Sequence, residues 1–461
     1  MSGGAEPTPR LEEEPSLADG AQASDSSKLK TLLSILKRTV GVKDLASLRL
    51  SLPAHLLEPM PNLEYWNYQD RADFFVSIGD YNDPLDRMLA TIRYAVTKEL
   101  KFVVCVLLTQ HGRVCKPYNS TLGEHFRCRW DVEPVAMNAQ GEHVPTAALK
   151  SDSPSVLRLP GSTSEIGTGP RRVVYLTEQV SHHPPISSYY YDCPEAGMTM
   201  AGVDQVSAKF TGTAVRIYPG EFNQGMFITL DERVRGEGAA GETYRITHPA
   251  GAIFGLFKGS FWPAVTDVAT ITCTPGAGSD VYYRAIIEYK EEGWLSRPKY
   301  AIEGCVYTYE PGTPSASYTA LKEVPANRVV VQLQGNWRGL ITWTRKGDKT
   351  AHPLVNLADL APCARDVRPL EAQEPNESRR IWHDVTEAIL SQQYAKATKA
   401  KHEVEQHQRD LAAQRKQQGI TFVPRYFEPD LSSGRPQLTD AGRAAVEEER
   451  RRPALGAPTV A

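Results

Sequence analysis

Short strand-forming runs limit what this chain can fold into more than any other feature. Between about residues 60 and 345, runs rich in β-branched and aromatic residues recur between Gly, Pro and Asp turns. The clearest runs are VVYLTEQV, ISSYYYDC, AKFTGTAVRIY, VYYRAIIEY and VVVQLQG. Because no pattern of long helices alternates with them, a doubly wound nucleotide-binding fold is disfavoured. The sequence predicts a large antiparallel sheet, which must close or curl to protect its edges and can then enclose a ligand.

Helical patterns flank this β-rich region. Between Lys28 and Val42, apolar residues recur at helical spacing while basic residues fall elsewhere on the helical wheel. The leucines of the apolar face are Leu29, Leu32, Leu33 and Leu36. This amphipathic helix could dock on a core, or it could act as a lid or a membrane-touching segment. Between Glu377 and Gln418 there is no Pro or Gly, and Ala, Lys, Gln and Glu dominate, so this stretch is also predicted to be helical.

The two ends of the chain have compositions typical of disordered segments. Residues 1–27 are rich in Ser, Ala, Glu and Pro and cannot bury enough apolar surface to offset the entropy of ordering. Residues 431–461 are predicted to be a flexible tail. The acidic start does not resemble a signal peptide, and the most apolar run, Phe102 to Leu108, is far shorter than the ~20 residues that cross a bilayer. We therefore expect a cytoplasmic protein that contacts membranes peripherally.

Charge and motif content argue against several functional classes. Lys and Arg total 52 against 55 Asp and Glu, so the net charge of -3 provides no bulk attraction to nucleic acid. The seven cysteines are odd in number and form no CxxC pair, which suits reduced thiols better than a disulfide framework. The sequence contains no Gly-rich phosphate loop, no GxSxG nucleophile motif and no HExxH metal motif. We expect a protein without cofactor or metal that is not an enzyme.

The segment EQVSHHPP at residues 178–185 is the first candidate for a functional site. Its adjacent imidazoles, His182 and His183, follow a strand-like run and precede two prolines that prevent ladder pairing. Such a pair could bind a metal, act in acid–base catalysis, donate hydrogen bonds to an anion, or simply occupy a structural turn. A metal needs a third ligand and catalysis needs a nucleophile, and the sequence supplies neither in a recognisable pattern. An anion site and a structural turn remain open.

Two further segments offer cations. In CKPYNSTLGE, Lys116 precedes a rigid proline and Asn119 provides amide donors and a carbonyl acceptor. In the predicted C-terminal helix, Lys401, Glu405 and Arg409 are four residues apart and line one face. Each segment also has a plainer interpretation, as a solvated lysine and as a solvated charged stripe.

Together these segments resemble the oxysterol-binding protein family. EQVSHHPP is the signature of that family and is complete here. KPYNSTLGE is similar to its Lys-Pro-x-Asn-Pro-x-Leu-Gly-Glu element, with Ser120 in place of the usual proline. PLEAQEPNESRRIWHDV resembles the stretch before the terminal helix, and KHEVEQHQR matches the family's Lys-x3-Glu-x3-Arg pattern. The similarity extends from about Leu29 to Phe427.

The resemblance implies an α+β fold. Its centre is a large near-complete antiparallel β-barrel around a hydrophobic lipid tunnel, with an N-terminal amphipathic lid helix and a C-terminal helical part. One lipid-binding domain would span residues 28–430. Within it we expect a lid at about 28–58, the barrel at about 60–345 and the helical part at about 375–430. A monomer is expected.

The resemblance also implies a ligand and its site. In the family, matching residues surround the phosphorylated inositol of phosphatidylinositol 4-phosphate at the tunnel mouth. The corresponding residues here are Lys116, Asn119, His182, His183, Lys401, Glu405 and Arg409. The apolar residues expected at the lid and tunnel are Leu29, Leu32, Leu33, Leu36 and Trp66.

The implied function is transfer of phosphatidylinositol 4-phosphate in exchange for a second lipid between membranes such as those of the endoplasmic reticulum, the Golgi and the cell surface. Trp66 favours a sterol as this second lipid, because sterol-binding members have an aromatic residue near the tunnel there, although Asp204 stands where they have Asn. Asn119 resembles the phosphatidylserine-binding members instead. A lipid-regulated sensor or scaffold is a further alternative, and a lipid phosphatase is the least favoured. Residues 103–113 look like an insertion relative to the family.

Overall fold

The computed structural model describes residues 54, 57–101, 116–137, 143–145, 170–211, 214–234, 236–254, 262–290 and 300–453. The predicted disordered start, the apolar face of the lid helix and the apparent insertion lie outside the described residues. The lid residues concerned are Leu29, Leu32, Leu33 and Leu36.

Strands form most of the described chain up to residue 356. In chain order they are β1 (Leu57–Pro61), β2 (Lys116–Tyr118), β3 (His125–Val132), β4 (Val135–Met137), β5 (His143–Pro145), β6 (Arg171–His182), β7 (Pro185–Cys193), β8 (Met198–Asp204), β9 (Val206–Phe210), β10 (Val215–Pro219), β11 (Met226–Leu230), β12 (Thr243–Ile246), β13 (Ala250–Phe254), β14 (Trp262–Thr274), β15 (Tyr283–Tyr289), β16 (Ala301–Thr308), β17 (Val329–Asn336), β18 (Leu340–Arg345) and β19 (His352–Asn356). The helices are α1 (Asn62–Tyr65), α2 (Ala72–Val76), α3 (Pro84–Thr97), α4 (Ser378–Ile381), α5 (His383–Leu390), α6 (Tyr394–Gln418) and α7 (Asp440–Arg451).

Fifteen of these strands form one antiparallel sheet, as the strand-forming runs predicted. Its main path runs β19-β18-β17-β16-β15-β14-β12-β11-β8-β7-β6-β3, and β13, β10 and β9 extend it from β14. Most neighbours are consecutive in the chain, which is the arrangement that short turns between strands favour. β3 and β19 are the two ends of this path in the described part of the chain.

Because neighbouring strands run in opposite directions, the strand ends gather on two sides. One side, here named the upper end, contains the start of β3 at His125 and the ends of β6 at His182, of β8 at Asp204, of β12 at Ile246 and of β17 at Asn336. The opposite side is named the lower end. The upper end therefore brings the two-histidine segment close to residues far away in sequence.

The N-terminal helices lie against both end strands of the sheet. α2 contacts β3, while α3 contacts β19, where Arg93 Nε donates to the carbonyl oxygen of Leu354 at 3.1 Å. α3 begins near the lower end, where the Asp83 side chain caps it by accepting from the backbone N–H of Leu85 at 2.8 Å. Such a cap stabilises a helix by about 1 kcal/mol. The Arg87 guanidinium is fully buried and pairs with Glu242 at 2.8 Å.

α3 departs from the prediction, which assigned about 60–345 to the barrel without a long helix. This 14-residue helix is buried over most of its circumference, including charged side chains. Its apolar residues recur at helical spacing, a pattern that the prediction did not use: Leu85, Met88, Leu89, Ile92 and Val96. The barrel boundary at 345 also falls short, because β19 extends the sheet to Asn356. The C-terminal helical stretch is present, but it is divided into α4, α5 and α6, with Gln392 at a positive φ of 58° between α5 and α6.

The prediction of a flexible tail over residues 431–461 is wrong for residues 440–451, which form α7. Its Thr439 side chain caps the helix by accepting from the backbone N–H of Gly442 at 3.1 Å. Ala445 and Val446 pack on the outward face of β6, where Val174 lies. The polar sequence of α7 resembles a solvated segment, but its charges meet arginines of the sheet that are distant in sequence. Within the described residues, no helix is both long enough and apolar enough to cross a membrane.

Candidate functional site

The two-histidine segment forms the rim of the sheet at the upper end. β6 ends at His182, and β7 begins at Pro185 after a cis bond between His183 and Pro184. The two imidazole rings lie 4.5 Å apart between centroids and are tilted by 58°. His183 is exposed and His182 is partly buried. The hairpin therefore presents both rings at the rim.

The hairpin is held from below by buried polar contacts. Gln179 is buried, and its amide oxygen accepts a hydrogen bond from the Ser187 hydroxyl at 2.8 Å. The Ser181 hydroxyl donates to the carbonyl oxygen of Pro184 at 2.8 Å. These contacts fix the turn, so the structural role and a binding role of the segment are compatible.

The Lys116 segment lies beside this hairpin. The backbone N–H of Gly123 donates to the carbonyl oxygen of Gln179 at 2.9 Å, and the N–H of Gln179 donates to the carbonyl oxygen of Glu124 at 2.8 Å. The Lys116 ammonium donates to the side-chain oxygen of Asn119. The structure thus brings Lys116, Asn119 and the two-histidine hairpin to the same end of the sheet.

Lys401 on α6 completes a concentration of positive charge. The pKa of Lys116 is lowered to about 8, chiefly by burial and further by the charge of Lys401. Lys401 is only 5% exposed, and its ammonium lies 3.4 Å from a carboxylate oxygen of Glu405. Arg409 follows on the same face by spacing, but it is exposed and its Nε donates to Gln406 at 3.0 Å. The structure therefore joins Lys116, Lys401 and Glu405 and leaves Arg409 bonded along its own helix.

Glu124 anchors this arrangement and was not singled out from the sequence. Its buried carboxylate accepts hydrogen bonds from the backbone N–H of Thr121 at 2.9 Å, the Ser378 hydroxyl at 2.7 Å and the Trp382 indole at 3.0 Å. Burial raises the pKa of Glu124, and these donors oppose that shift. No local signal in the sequence indicates this role, because Ser378 and Trp382 are distant in the chain.

Glu178 is a second buried anchor. Its carboxylate accepts from the backbone N–H groups of Arg425 and Tyr426, each at 2.8 Å. Burial raises the pKa of Glu178, and the backbone donors oppose the rise. The chain that follows α6 is therefore tied directly to the strand that ends in the histidine pair.

A small cavity of about 60 Å³ lies at the same upper end of the sheet. It is bounded by the end of α3 and by β12, β14 and β15, and most of its wall is apolar. The lining residues are Ala95, Val96, Lys98, Glu99, Ile246, Thr247, Pro249, Val265, Ala269, Ile271, Ile287, Tyr289 and Trp337. Trp66 is not among them: it ends α1, is partly buried and packs edge-on against Tyr65 at 5.2 Å between ring centroids.

Titratable groups cluster near this cavity. Burial raises the pKa of Asp204 to about 7, and the Tyr68 hydroxyl donates to its carboxylate at 2.5 Å. Burial lowers the pKa of His248 to about 4, and its ring lies 5.1 Å from that of Tyr68. The pKa of Glu99 is lowered overall: burial alone would raise it, but the charges of Lys98 and His248 outweigh burial. The apolar wall of the cavity is therefore accompanied by groups that can donate and accept hydrogen bonds.

Within the residues that the structure describes, no group of three or more His, Cys, Asp and Glu side chains is placed to hold a metal ion.

Comparisons with known sequences agree along most of the chain. The family model described as oxysterol-binding protein matches residues 31–443. Oxysterol-binding protein-like protein 1 of Schizosaccharomyces pombe is 34% identical over 491 residues, which cover 92% of this chain and 91% of that protein. Human oxysterol-binding protein-related protein 11 is 27% identical over 412 residues, covering 88% of this chain. The chain corresponds to 49% of the human protein, so it spans about half of that relative's length.

Solved structures share the fold. The Osh1 ORD domain in complex with ergosterol aligns with a TM-score of 0.60 at 18% identity, covering 96% of this chain and 92% of that one. The Osh3 ORD of Saccharomyces cerevisiae in complex with PI(4)P aligns with a TM-score of 0.58 at 16% identity, covering 91% and 93%. These similarities confirm the predicted α+β fold built on a large, near-complete antiparallel barrel. With a family model that spans most of its length and a relative of 34% identity along nearly all of both chains, this chain belongs to the oxysterol-binding protein family.

Proposed function

We propose that this protein is a lipid carrier that binds phosphatidylinositol 4-phosphate at the upper end of its barrel and exchanges it for a second lipid, most simply a sterol. The observation that carries the proposal is the pair of ammonium groups of Lys116 and Lys401. Burial and their mutual repulsion lower the pKa of Lys116 to about 8, so the pair is costly without a neutralising anion. The neighbouring carboxylate of Glu405 compensates part of this charge at 3.4 Å from Lys401.

A phosphorylated inositol fits the chemistry of the rim. A phosphomonoester carries about -1.5 to -2 charges near neutral pH and has three acceptor oxygens, which suit lysine and imidazole donors. Lys116, Lys401, His182 and His183 would supply these donors, and Asn119 could hydrogen-bond an inositol hydroxyl. Arg409 would have to release Gln406 to join them. Support comes from a solved structure of the same fold that is a complex with PI(4)P.

The apolar lining of the cavity supports the second lipid, although the cavity of about 60 Å³ would have to widen to admit it. Its wall is mostly apolar, and burial of a hydrocarbon contributes ~0.8 kcal/mol per methylene, which lets a protein compete with a bilayer for its cargo. Solved structures of the same fold are complexes with ergosterol and with cholesterol, which favours a sterol. Asn119 supports phosphatidylserine as the alternative, because it resembles the phosphatidylserine-binding members, and Asp204 weakens the case for a sterol because the sterol-binding pattern has an amide there. We infer transport without a covalent step, by a monomer in the cytoplasm that contacts endoplasmic reticulum, Golgi or plasma membranes transiently.

The first experiment is extraction of phosphatidylinositol 4-phosphate from liposomes by the purified full chain. His182→Ala/His183→Ala and Lys116→Ala should lose extraction, while Lys349→Ala should keep it, because Lys349 is an exposed lysine at the lower end. Equal extraction by all variants would move the headgroup elsewhere. No extraction by the folded wild type would overturn the exchange mechanism.

A sensor or scaffold would share the site but not the transport. The two functions differ in turnover, since a carrier moves many lipid molecules per protein between donor and acceptor liposomes. A sensor would bind one equivalent and stop. Labelled sterol and phosphatidylserine, tested as separate cargoes in the same assay, identify the second lipid.

A further inference from the structure

The loop that follows α6, residues 419–424, presents exposed apolar side chains and is here named the Ile420 loop. Ile420 is 56% exposed and Val423 is 68% exposed. Val423 has the highest exposure among the large exposed apolar side chains in the described part of the chain. Exposed apolar residues gathered in one short loop indicate an interaction site more often than scattered ones do.

The fold holds this loop in place. Gly419 has a φ of 67° and ends α6 in the left-handed region, and the backbone N–H of Ile420 donates to the carbonyl oxygen of Arg415 at 2.9 Å. This is the hydrogen bonding of a glycine-terminated helix. Beyond the loop, Arg425 and Tyr426 are tied to Glu178 through their backbone N–H groups, each at 2.8 Å. The apolar side chains are therefore held outward by an ordered backbone.

Phe422 places the loop beside the proposed headgroup site. Its ring lies so close to Gly123 that a Cβ on that glycine would be 3.2 Å from a ring carbon. Gly123 belongs to the KPYNSTLGE segment, and Glu178, which holds the other side of the loop, begins EQVSHHPP. A headgroup embedded in a bilayer can reach these segments only if this rim meets the bilayer surface.

The charge of the neighbouring helix suits an anionic surface. The Arg415 guanidinium lies 6.0 Å from the centre of the Phe422 ring, and the exposed Lys416 follows it. Over its whole length α6 contains six Lys or Arg residues and three Asp or Glu residues. Basic side chains next to exposed apolar ones are the combination that binds the interface of anionic membranes.

We propose that the Ile420 loop is a bilayer-contact element, in which Ile420 and Val423 enter the headgroup boundary of an anionic membrane while Arg415 and Lys416 contact lipid phosphates. The inference rests on the proposed function, because a lipid carrier must bring this rim to a membrane. Membrane attachment can nevertheless be measured without phosphatidylinositol 4-phosphate.

The test is co-sedimentation of the full chain with liposomes of phosphatidylcholine and phosphatidylserine in a ratio of about four to one, an anionic surface without phosphoinositide. Ile420→Ser/Val423→Ser should weaken attachment at least about fivefold, because the apolar contribution to interfacial binding is lost. Val281→Ser is the matched control: Val281 is 39% exposed, precedes β15 at the lower end and should leave attachment unchanged.

A gain-of-function variant keeps the test independent of folding defects. Ile420→Trp should strengthen attachment, because indole rings favour the membrane interface. Attachment of the double serine variant at the wild-type level, or no attachment of the wild type, would overturn the inference.

A soluble short-chain phosphatidylinositol 4-phosphate separates this inference from the proposed function. Its binding should be equal in the wild type and in Ile420→Ser/Val423→Ser, because the ligand needs no bilayer. If the wild type fails to bind the soluble ligand while attachment still depends on the loop, the headgroup proposal fails and the bilayer-contact element stands.

Discussion

Lys116 and Lys401 place two positive charges close together where water is partly excluded. Burial and the charge of Lys401 lower the pKa of Lys116 to about 8 from the usual 10.5, so the protonated form is disfavoured there. A bound phosphate would restore the protonated form, so binding and protonation of Lys116 are linked. The direction of the linkage is fixed: the charged ammonium, present below about pH 8, is the form that binds the anion.

The pH dependence of headgroup binding follows from this linkage. Between pH 8 and 10 the affinity of the wild type for soluble short-chain phosphatidylinositol 4-phosphate should fall, by up to about tenfold per pH unit, as Lys116 loses its proton in the free protein. Lys116→Arg keeps its charge throughout this range and should flatten the profile, and Lys349→Arg should behave like the wild type. Isothermal titration calorimetry in two buffers of different ionisation enthalpy measures the proton uptake. A flat wild-type profile would show that Lys116 does not contact the phosphate.

At the level of single residues, the sequence singled out the donors of the proposed site but not the groups that hold them. His182, His183 and Lys116 are recognisable from short motifs. Glu124 is not, because its partners Ser378 and Trp382 follow it by more than 250 residues and nothing local links them. Helical spacing places the positions of Lys401, Glu405 and Arg409 on one face, but it cannot show that the Arg409 side chain bonds to Gln406.

Among the elements, α7 shows how a polar segment becomes structured. Its Glu449 carboxylate is fully buried and forms ion pairs with Arg368 at 2.7 Å and with Arg452 at 2.8 Å. Farther out on the same helix, Glu447 pairs with Arg451 at 2.7 Å but remains substantially exposed. Buried and exposed ion pairs differ in consequence, because removal of one partner strands a charge only where water cannot solvate it.

Two substitutions on α7 test this difference. Glu449→Ala should lower the free energy of unfolding by about 2 kcal/mol, because Arg368 and Arg452 lose their fully buried partner. Arg368 then keeps Glu448 at 3.0 Å, and Arg452 keeps Asp366 at 3.1 Å. Glu447→Ala, on the same helix, should lower it by less than about 1 kcal/mol. Urea unfolding followed by circular dichroism compares the two. Equal effects would mean that α7 contributes through its apolar contacts alone.

The sequence predicted the elements whose residue pattern is visible within the segment itself. The strands VVYLTEQV and ISSYYYDC became β6 and β7 because their runs of β-branched and aromatic residues are bounded by turn residues. α3 was missed although its apolar residues recur at helical spacing after the cap Asp83, so the signal was present in the sequence. α7 was missed because its carboxylates pair with arginines that are distant in sequence, Arg127 of β3 and Arg368. For α7, tertiary contacts outweighed the local pattern.

For the whole molecule, the antiparallel order of the sheet explains why one end carries both the proposed headgroup site and the cavity. Each strand of the sheet has one of its two ends at the upper end. There β6 contributes the histidine pair, and β12, β14 and β15 line the cavity. The resemblance to a family supplied this arrangement in advance. Strand patterns alone indicated a closed or curled sheet, but they could not indicate which strand ends meet, since register and order depend on pairings between distant segments.

Filling the cavity should separate its role from that of the rim. Ala269 is buried in β14 and lines the cavity, so Ala269→Trp would occupy space that the second lipid needs, while the lysines and histidines of the rim stay unchanged. We expect sterol or phosphatidylserine transfer between liposomes to fall at least about tenfold, because the displaced hydrocarbon loses ~0.8 kcal/mol for each methylene left unburied. Binding of soluble short-chain phosphatidylinositol 4-phosphate should change less than about twofold, since its short chains need little of the cavity.

Ala269→Val is the conservative control and should retain transfer, with circular dichroism confirming that both variants are folded. If Ala269→Trp transfers the second lipid as fast as the wild type, that lipid lies elsewhere in the barrel; if both activities fall together, headgroup and cargo share one continuous site.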